Sequence, residues 1–151
     1  MNERITGGCR CGTIRYDLML DRLPPVYCCH CRDCQTWTGS AFSQQAVVHE
    51  GDLVVNVGEP VEYAFTSPSG SLSRQYACAT CHTRLYNTNS ARPGRVIVRA
   101  GTLDASDRLE AVLHIWTKRK QPWIALAADV PAFPESAPAE VFRNLVMGEQ
   151  R

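Results

Sequence analysis

Eight cysteines fall in three groups, Cys9-x-Cys11, Cys28-Cys29-x-Cys31-x-x-Cys34 and Cys78-x-x-Cys81. Thiolates at such spacings suit a soft, tetrahedral metal ion, and two close pairs can supply its four ligands from distant parts of a chain. In Cys78-Ala79-Thr80-Cys81 the two intervening residues let the backbone turn and aim both sulfurs at one point. Cys9 and Cys11 share a face of an extended segment, because strand side chains alternate. The two pairs together predict a closed set, Cys9, Cys11, Cys78 and Cys81, holding a structural zinc.

The same alternation sorts the middle group. Cys29 and Cys31 share a face if the segment is extended, and Cys34 reaches them after a short turn. Cys28 and His30 then point the other way. Two alternatives stay open: Cys28 replaces Cys29 if the strand starts one residue later, and His30 ligates if the face is reversed. The preferred set is Cys29, Cys31 and Cys34. Three protein ligands are the mark of a zinc site with a free position. A thiol would bind there as its thiolate, with its sulfur fixed for attack on a small electrophile.

Composition narrows the class of protein that carries these groups. The chain of 151 residues reads as a single domain, 1–151, with 44% hydrophobic and 21% charged residues. Its formal net charge of +1 lacks the basic excess of a nucleic-acid binder. Lys118-Arg119-Lys120 reads as a solvated turn. The longest apolar run, Trp123 to Ala128, is far short of a membrane span of about 20 residues. No signal peptide is expected from MNERITGG, so a cytoplasmic protein is expected. In that compartment cysteines read as metal ligands or reactive thiols before they read as disulfides.

The elements that must position the cysteines read mostly as short strands. Thr13–Leu18 alternates, Leu53–Val57 is a β-branched run closed by Gly58 and Pro60, and Val96–Val98 with Leu103 and Val112–Trp116 add two more. Pro68–Ser71 reads as a hairpin loop. One helix is expected near the C-terminus, capped by Ser136, with Pro138 in its first turn, Gly148 after its last, and Val141, Phe142 and Leu145 as its packing stripe. A shorter helix is expected over Asp33 to Trp37. Trp37, Trp116 and Trp123 are expected as core or pocket-wall aromatics. The fold class is all-β, built of several sheets with short helices.

Gly7-Gly8-Cys9-x-Cys11-Gly12-x-x-Arg15-Tyr16, then Cys29-His30-Cys31-x-x-Cys34-Gln35 with Gly39, then Cys78-x-x-Cys81 resemble the glutathione-dependent formaldehyde-activating enzyme family, which includes the centromere protein V group. The resemblance covers roughly residues 5–135, including Ile115-Trp116 and Lys120-x-x-Trp123. It implies a zinc-bearing β-tent domain with two zinc ions. The structural one falls to Cys9, Cys11, Cys78 and Cys81, and the second to Cys29, Cys31 and Cys34, where glutathione would bind. The implied activity is a carbon–sulfur lyase or adduct-forming enzyme acting on a small thiol such as glutathione and a small aldehyde such as formaldehyde. Arg10, Arg15 and Arg32 are candidate partners for the thiol's carboxylates, and His30 or His114 for carrying a proton. The alternative is a non-catalytic zinc module that binds a protein partner. An oligomer is compatible with either reading. Two departures from the family pattern stand at the last knuckle: His82 where glycine is usual, and Ala77 where an aromatic is common, with Tyr76 one place earlier.

Overall fold

The computed structural model describes residues 4–148. Among these residues ten strands form two sheets. The small sheet has the order β1-β2-β5, from Ile5–Gly8, Arg15–Leu18 and Leu53–Val57. The large sheet has the order β10-β3-β4-β9-β8-β7-β6. Its strands are β3 Val26–Cys29, β4 Ser43–His49, β6 Val61–Thr66, β7 Leu72–Ala77, β8 Arg84–Asn89, β9 Arg95–Arg99 and β10 Ala111–Ile115. All neighbours in the large sheet are antiparallel except β10 and β3, which run parallel. The mostly β, multi-sheet class read from the sequence is the one observed.

The β-branched runs in β4 and β9 are explained by burial on both faces of the large sheet. Val48, Val96 and Val98 join Ile14, Tyr16, Leu18 and Leu85 in a core beneath the small sheet. On the opposite face, Val47 and Ile97 pack with Tyr27, Leu113, Phe142 and Val146. The last two belong to helix α2, Ala139–Val146, which covers that face. The Tyr27 and Phe142 rings meet edge-on at 5.0 Å. The result is three layers with the large sheet in the middle.

Several expectations shift in detail. Pro138, not Ser136, occupies the N-cap of α2, and no side chain caps the helix; the fixed φ of proline sets the turn into the helix without a capping hydroxyl. Its buried stripe is Phe142 and Val146, with Val141 and Leu145 half-buried. Leu103 lies outside β9, beyond a short 3-10 turn, and bridges to Gly7. Of the two places expected for Trp123, the pocket wall is the one observed: it is 75% exposed and lines a surface pocket with Arg32 and Gln35, outside the core. The proline run 131–135 lies along β10: His114 N–H donates to Pro131 O and Phe133 N–H to His114 O. Among the described residues no helix is long and apolar enough to cross a membrane.

Candidate metal centres

The first cysteine group is assembled by two turns that face each other across the sheets. Cys9 and Cys11 follow β1, and Cys78 and Cys81 fill the turn between β7 and β8. Gly8 permits the first turn, since a Cβ there would collide with the carbonyl oxygen of Ile14. A Cβ on Gly7 would lie 2.5 Å from the Tyr16 ring, so the Gly7-Gly8 pair lets the loop bearing Cys9 lie flat on β2. The second turn closes with Cys78 N–H donating to Thr83 O at 3.0 Å and His82 N–H to Cys78 O at 2.9 Å. His82 sits in the left-handed region at φ 62°, which accounts for the glycine usual at this position. Histidine is among the residues that enter that region more readily than most.

The four sulfurs lie within 4.8 Å of one another. Cys9 Sγ is 3.5 Å from Cys11 Sγ, which is 3.8 Å from Cys78 Sγ. A tetrahedron of sulfurs around zinc at about 2.3 Å has edges of about 3.8 Å, whereas a disulfide would need about 2.05 Å. The set therefore fits a metal ion and does not form disulfides. Backbone amides point at the sulfurs: Ile14 N–H at Cys9 (3.3 Å), and Thr80 and Cys81 N–H at Cys78 (3.4 and 3.5 Å). Each of the other two sulfurs meets a hydroxyl two residues on, Thr13 at 2.9 Å from Cys11 and Thr83 at 3.1 Å from Cys81. Thr13 pulls the Cys11 thiol down, and Thr83 first of all brings Cys81 to about 5. Hydrogen bonds to sulfur favour the thiolate that a metal needs. The repeated Cys-x-Thr was legible in the sequence, though its use was not.

The second group gathers at the end of β3. Cys29 closes the strand, Cys31 is the N-cap of helix α1, Arg32–Thr38, and Cys34 N–H donates to Cys31 Sγ at 3.4 Å. Gly39 ends the helix in the left-handed conformation at φ 62°. Cys29, Cys31 and Cys34 place their sulfurs within 4.8 Å of one another. Contacts with Cys29 first, then Cys34, hold the Cys31 thiol far below its usual range, while Cys31 pushes Cys29 up. Three such sulfurs share their protons because adjacent thiolates repel, and a dication relieves that repulsion. The donor set thus fits a soft metal ion as well. Gln45 adds a contact, its Nε2 donating to Cys34 Sγ at 3.5 Å while its Oε1 accepts from Tyr27 at 2.6 Å.

Cys28 and His30 lie outside this group, as strand alternation predicts. Cys28 is buried, and burial pushes its thiol up to about 11. His30 is fully buried, with its Nε2 3.0 Å from His114 Nδ1 and its ring against Phe42. Burial, and then His114, bring it down to about 4, so it is neutral near pH 7. Gln35 locks α1 behind the site, its Nε2 donating to the carbonyls of His30 (2.8 Å) and Arg119 (2.9 Å).

A cleft of about 390 Å³ touches both neighbourhoods. Trp37 and Thr38 of α1 and Ser43, opposite Cys29 in the sheet, form one side; His82, Arg84 and Arg99 form another. None of the three arginines expected from sequence as carboxylate partners lines this cleft. Arg15 is paired with Asp104, Arg32 is exposed on another surface beside Gln35 and Trp123, and Arg10 is exposed near the first group. Arg84 and Arg99 carry no local sequence signal, because they are far in sequence from the second group and arrive through strand pairing.

Similarity to known proteins agrees with this architecture. A Schizosaccharomyces pombe protein named as an uncharacterized lyase is 33% identical over 94 residues, which is 58% of this chain and 61% of that protein. The match thus spans about three-fifths of the relative's length. A solved Rhodobacter sphaeroides protein shares the fold at a TM-score of 0.53 and 17% identity, covering 84% of this chain and 98% of that one. The family described as glutathione-dependent formaldehyde-activating enzyme matches residues 4–119, and the chain belongs to that family.

Proposed function

We propose that this protein is a zinc-dependent carbon–sulfur lyase or adduct-forming enzyme that joins and separates a small thiol and an aldehyde. Cys9, Cys11, Cys78 and Cys81 would hold a structural zinc, and Cys29, Cys31 and Cys34 a second. The carrying observation is that three sulfurs converge at the second group while both remaining candidate ligands, Cys28 and His30, lie outside it. Cys29, Cys31 and Cys34 would hold a zinc ion there, which would supply an electrophilic centre able to take a further soft ligand. The cysteines would hold the site, and the neighbouring cleft, with Trp37 and Phe42 in its wall, would admit the thiol. In the forward direction the thiol gives up its S–H proton, its sulfur forms a bond to the aldehyde carbon, and the carbonyl π pair moves to oxygen, which takes up a proton in turn. The reverse breaks the carbon–sulfur bond and returns the electron pair to sulfur. Complete burial of His30 argues against its carrying that proton. Glutathione and formaldehyde are the substrates that the family description favours.

The test is direct. Protein never exposed to chelator should carry two zinc ions per chain. Mixed with glutathione and formaldehyde, it should speed hemithioacetal exchange as followed by NMR, and Cys34→Ser should remove the acceleration while keeping one zinc. Two metals without any acceleration would instead support a binding module, which the exposed Val57, Val61 and Tyr63 along β5 and β6 favour.

A further inference from the structure

Arg84 and Arg99 stand in adjacent antiparallel strands, β8 and β9, and both line the cleft beside the second cysteine group. Each is held by a neutral amide. Arg84 Nη2 donates to Gln75 Oε1 and Arg99 Nη2 to Asn87 Oδ1, both at 2.6 Å. Arg84 also lies over the Trp37 ring, 3.9 Å from its centroid, on the helix that carries Cys34. Three guanidinium nitrogens, Arg84 Nε and Arg99 Nε and Nη1, are buried without a hydrogen-bond partner. Among the described residues no aspartate or glutamate lines the cleft.

Two half-buried cations whose buried nitrogens meet no acceptor, and whose side-chain hydrogen bonds go only to amides, are incompletely compensated. Buried charges are normally paired, and orphaned donors are rare in native proteins. The thiolates nearby offset part of the charge, since Cys34 attracts both arginines and Cys29 attracts Arg99. What then suits two adjacent planar forks is an anion with two oxygens. The cleft volume lies in the range of small-molecule sites.

We infer that Arg84 and Arg99 form a subsite for a carboxylate of the thiol substrate, so that the second cysteine group selects carboxylate-bearing thiols over neutral ones. This rests on the reading of that group as an open thiol site. Trp37 holds Arg84 in place by stacking, and Asn87 and Gln75 orient the two forks without neutralising them. Approach of a carboxylate requires a small turn of the guanidinium planes, which the single amide contact on each permits. The arginines act by recognition and take no part in the bond changes.

The full chain loaded with cobalt provides the test, because a thiol reaching the metal changes its visible spectrum. In the wild type, 3-mercaptopropionate should bind about tenfold or more tighter than 2-mercaptoethanol, the gain expected of a charge-assisted contact. Arg99→Gln should bring the two thiols close to parity, through weaker binding of 3-mercaptopropionate. Because two nitrogens of Arg99 are buried and its variant could fail to fold, Arg84→Gln, where only Nε is buried, should show the same loss of preference. In the zinc-loaded wild type, the Nε–H NMR signals of both arginines should move with 3-mercaptopropionate and not with 2-mercaptoethanol. Equal affinity for the two thiols, or an equal loss for both in the variants, would overturn the inference and leave the open site standing. If neither thiol changes the cobalt spectrum, the open-site reading falls and this inference falls with it.

Discussion

The two cysteine groups should differ sharply in what they contribute to stability, and the difference follows from where their ligands lie in the chain. A metal ion stabilises a fold only to the extent that it binds the folded state better than the unfolded one. Cys29, Cys31 and Cys34 are neighbours in sequence, so an unfolded chain can still wrap most of this set around an ion. Cys11 and Cys78 are 67 residues apart, and the unfolded chain must close that loop to bring the two pairs together. Loop-closure entropy grows as about 1.5RT ln n, so a loop of about 67 residues costs roughly 2.3 kcal/mol more than one of about five. Loss of the first metal should therefore destabilise the protein by at least about 2 kcal/mol more than loss of the second. In a chain of this size that corresponds to a melting temperature lower by roughly 5–9 °C. The experiment compares Cys78→Ser with Cys34→Ser by thermal and urea unfolding at fixed free zinc, with metal content measured in parallel. Cys34→Ser should remain folded with one metal. Equal destabilisation by the two changes would refute the assignment of a structural role to the first group alone.

Gly8→Ala should destabilise the fold by about 1–3 kcal/mol, because the new Cβ meets backbone at Ile14 that cannot move aside, and it should lower zinc content at the first group. Full metal content with an unchanged melting temperature would contradict the close packing of that loop. Cys28→Ala should leave two metals per chain, since the Cys28 sulfur lies outside both groups; a loss of one ion on metal analysis would show that Cys28 ligates. Asp104 is held below the usual carboxylate range by Arg15 and then by Thr6. Its contribution to stability is therefore present above the unfolded carboxylate value near 4 and lost as pH falls through the lowered one. Asp104→Asn should flatten that part of the acid limb in urea unfolding between pH 5 and 3. The effect should stay under about 1 kcal/mol, because the pair is partly exposed.

Much of the chemistry was legible locally. Sulfurs two or three residues apart in short turns have little freedom in where they point, so spacing favoured Cys29, Cys31 and Cys34, while the exclusion of Cys28 and His30 came from the bounds of β3 and its sheet. The pairing of Cys9 and Cys11 with Cys78 and Cys81 was also readable, because a tetrahedral ion demands four ligands and only these pairs were left. Alternation and β-branched runs indicated a multi-sheet fold for the same reason: a pleated strand shows its environment with a period of two. Other features depend on contacts between residues far apart in the chain. Whether Val47 and Val48 face one core or two was decided by the small sheet on one side and α2 on the other. Pro138 displaced Ser136 as the helix N-cap because the proline run is drawn along β10. Trp123 is exposed because no layer covers it. The arginines beside the second group could not be picked out from sequence, since proximity to cysteine in the chain favoured Arg10, Arg15 and Arg32. Strand order brought Arg84 and Arg99 there instead, and Asp104 claimed Arg15. Ligand geometry is set by a few bonds and survives in local sequence, whereas charge compensation depends on everything within several ångströms and exists only once the sheets have paired.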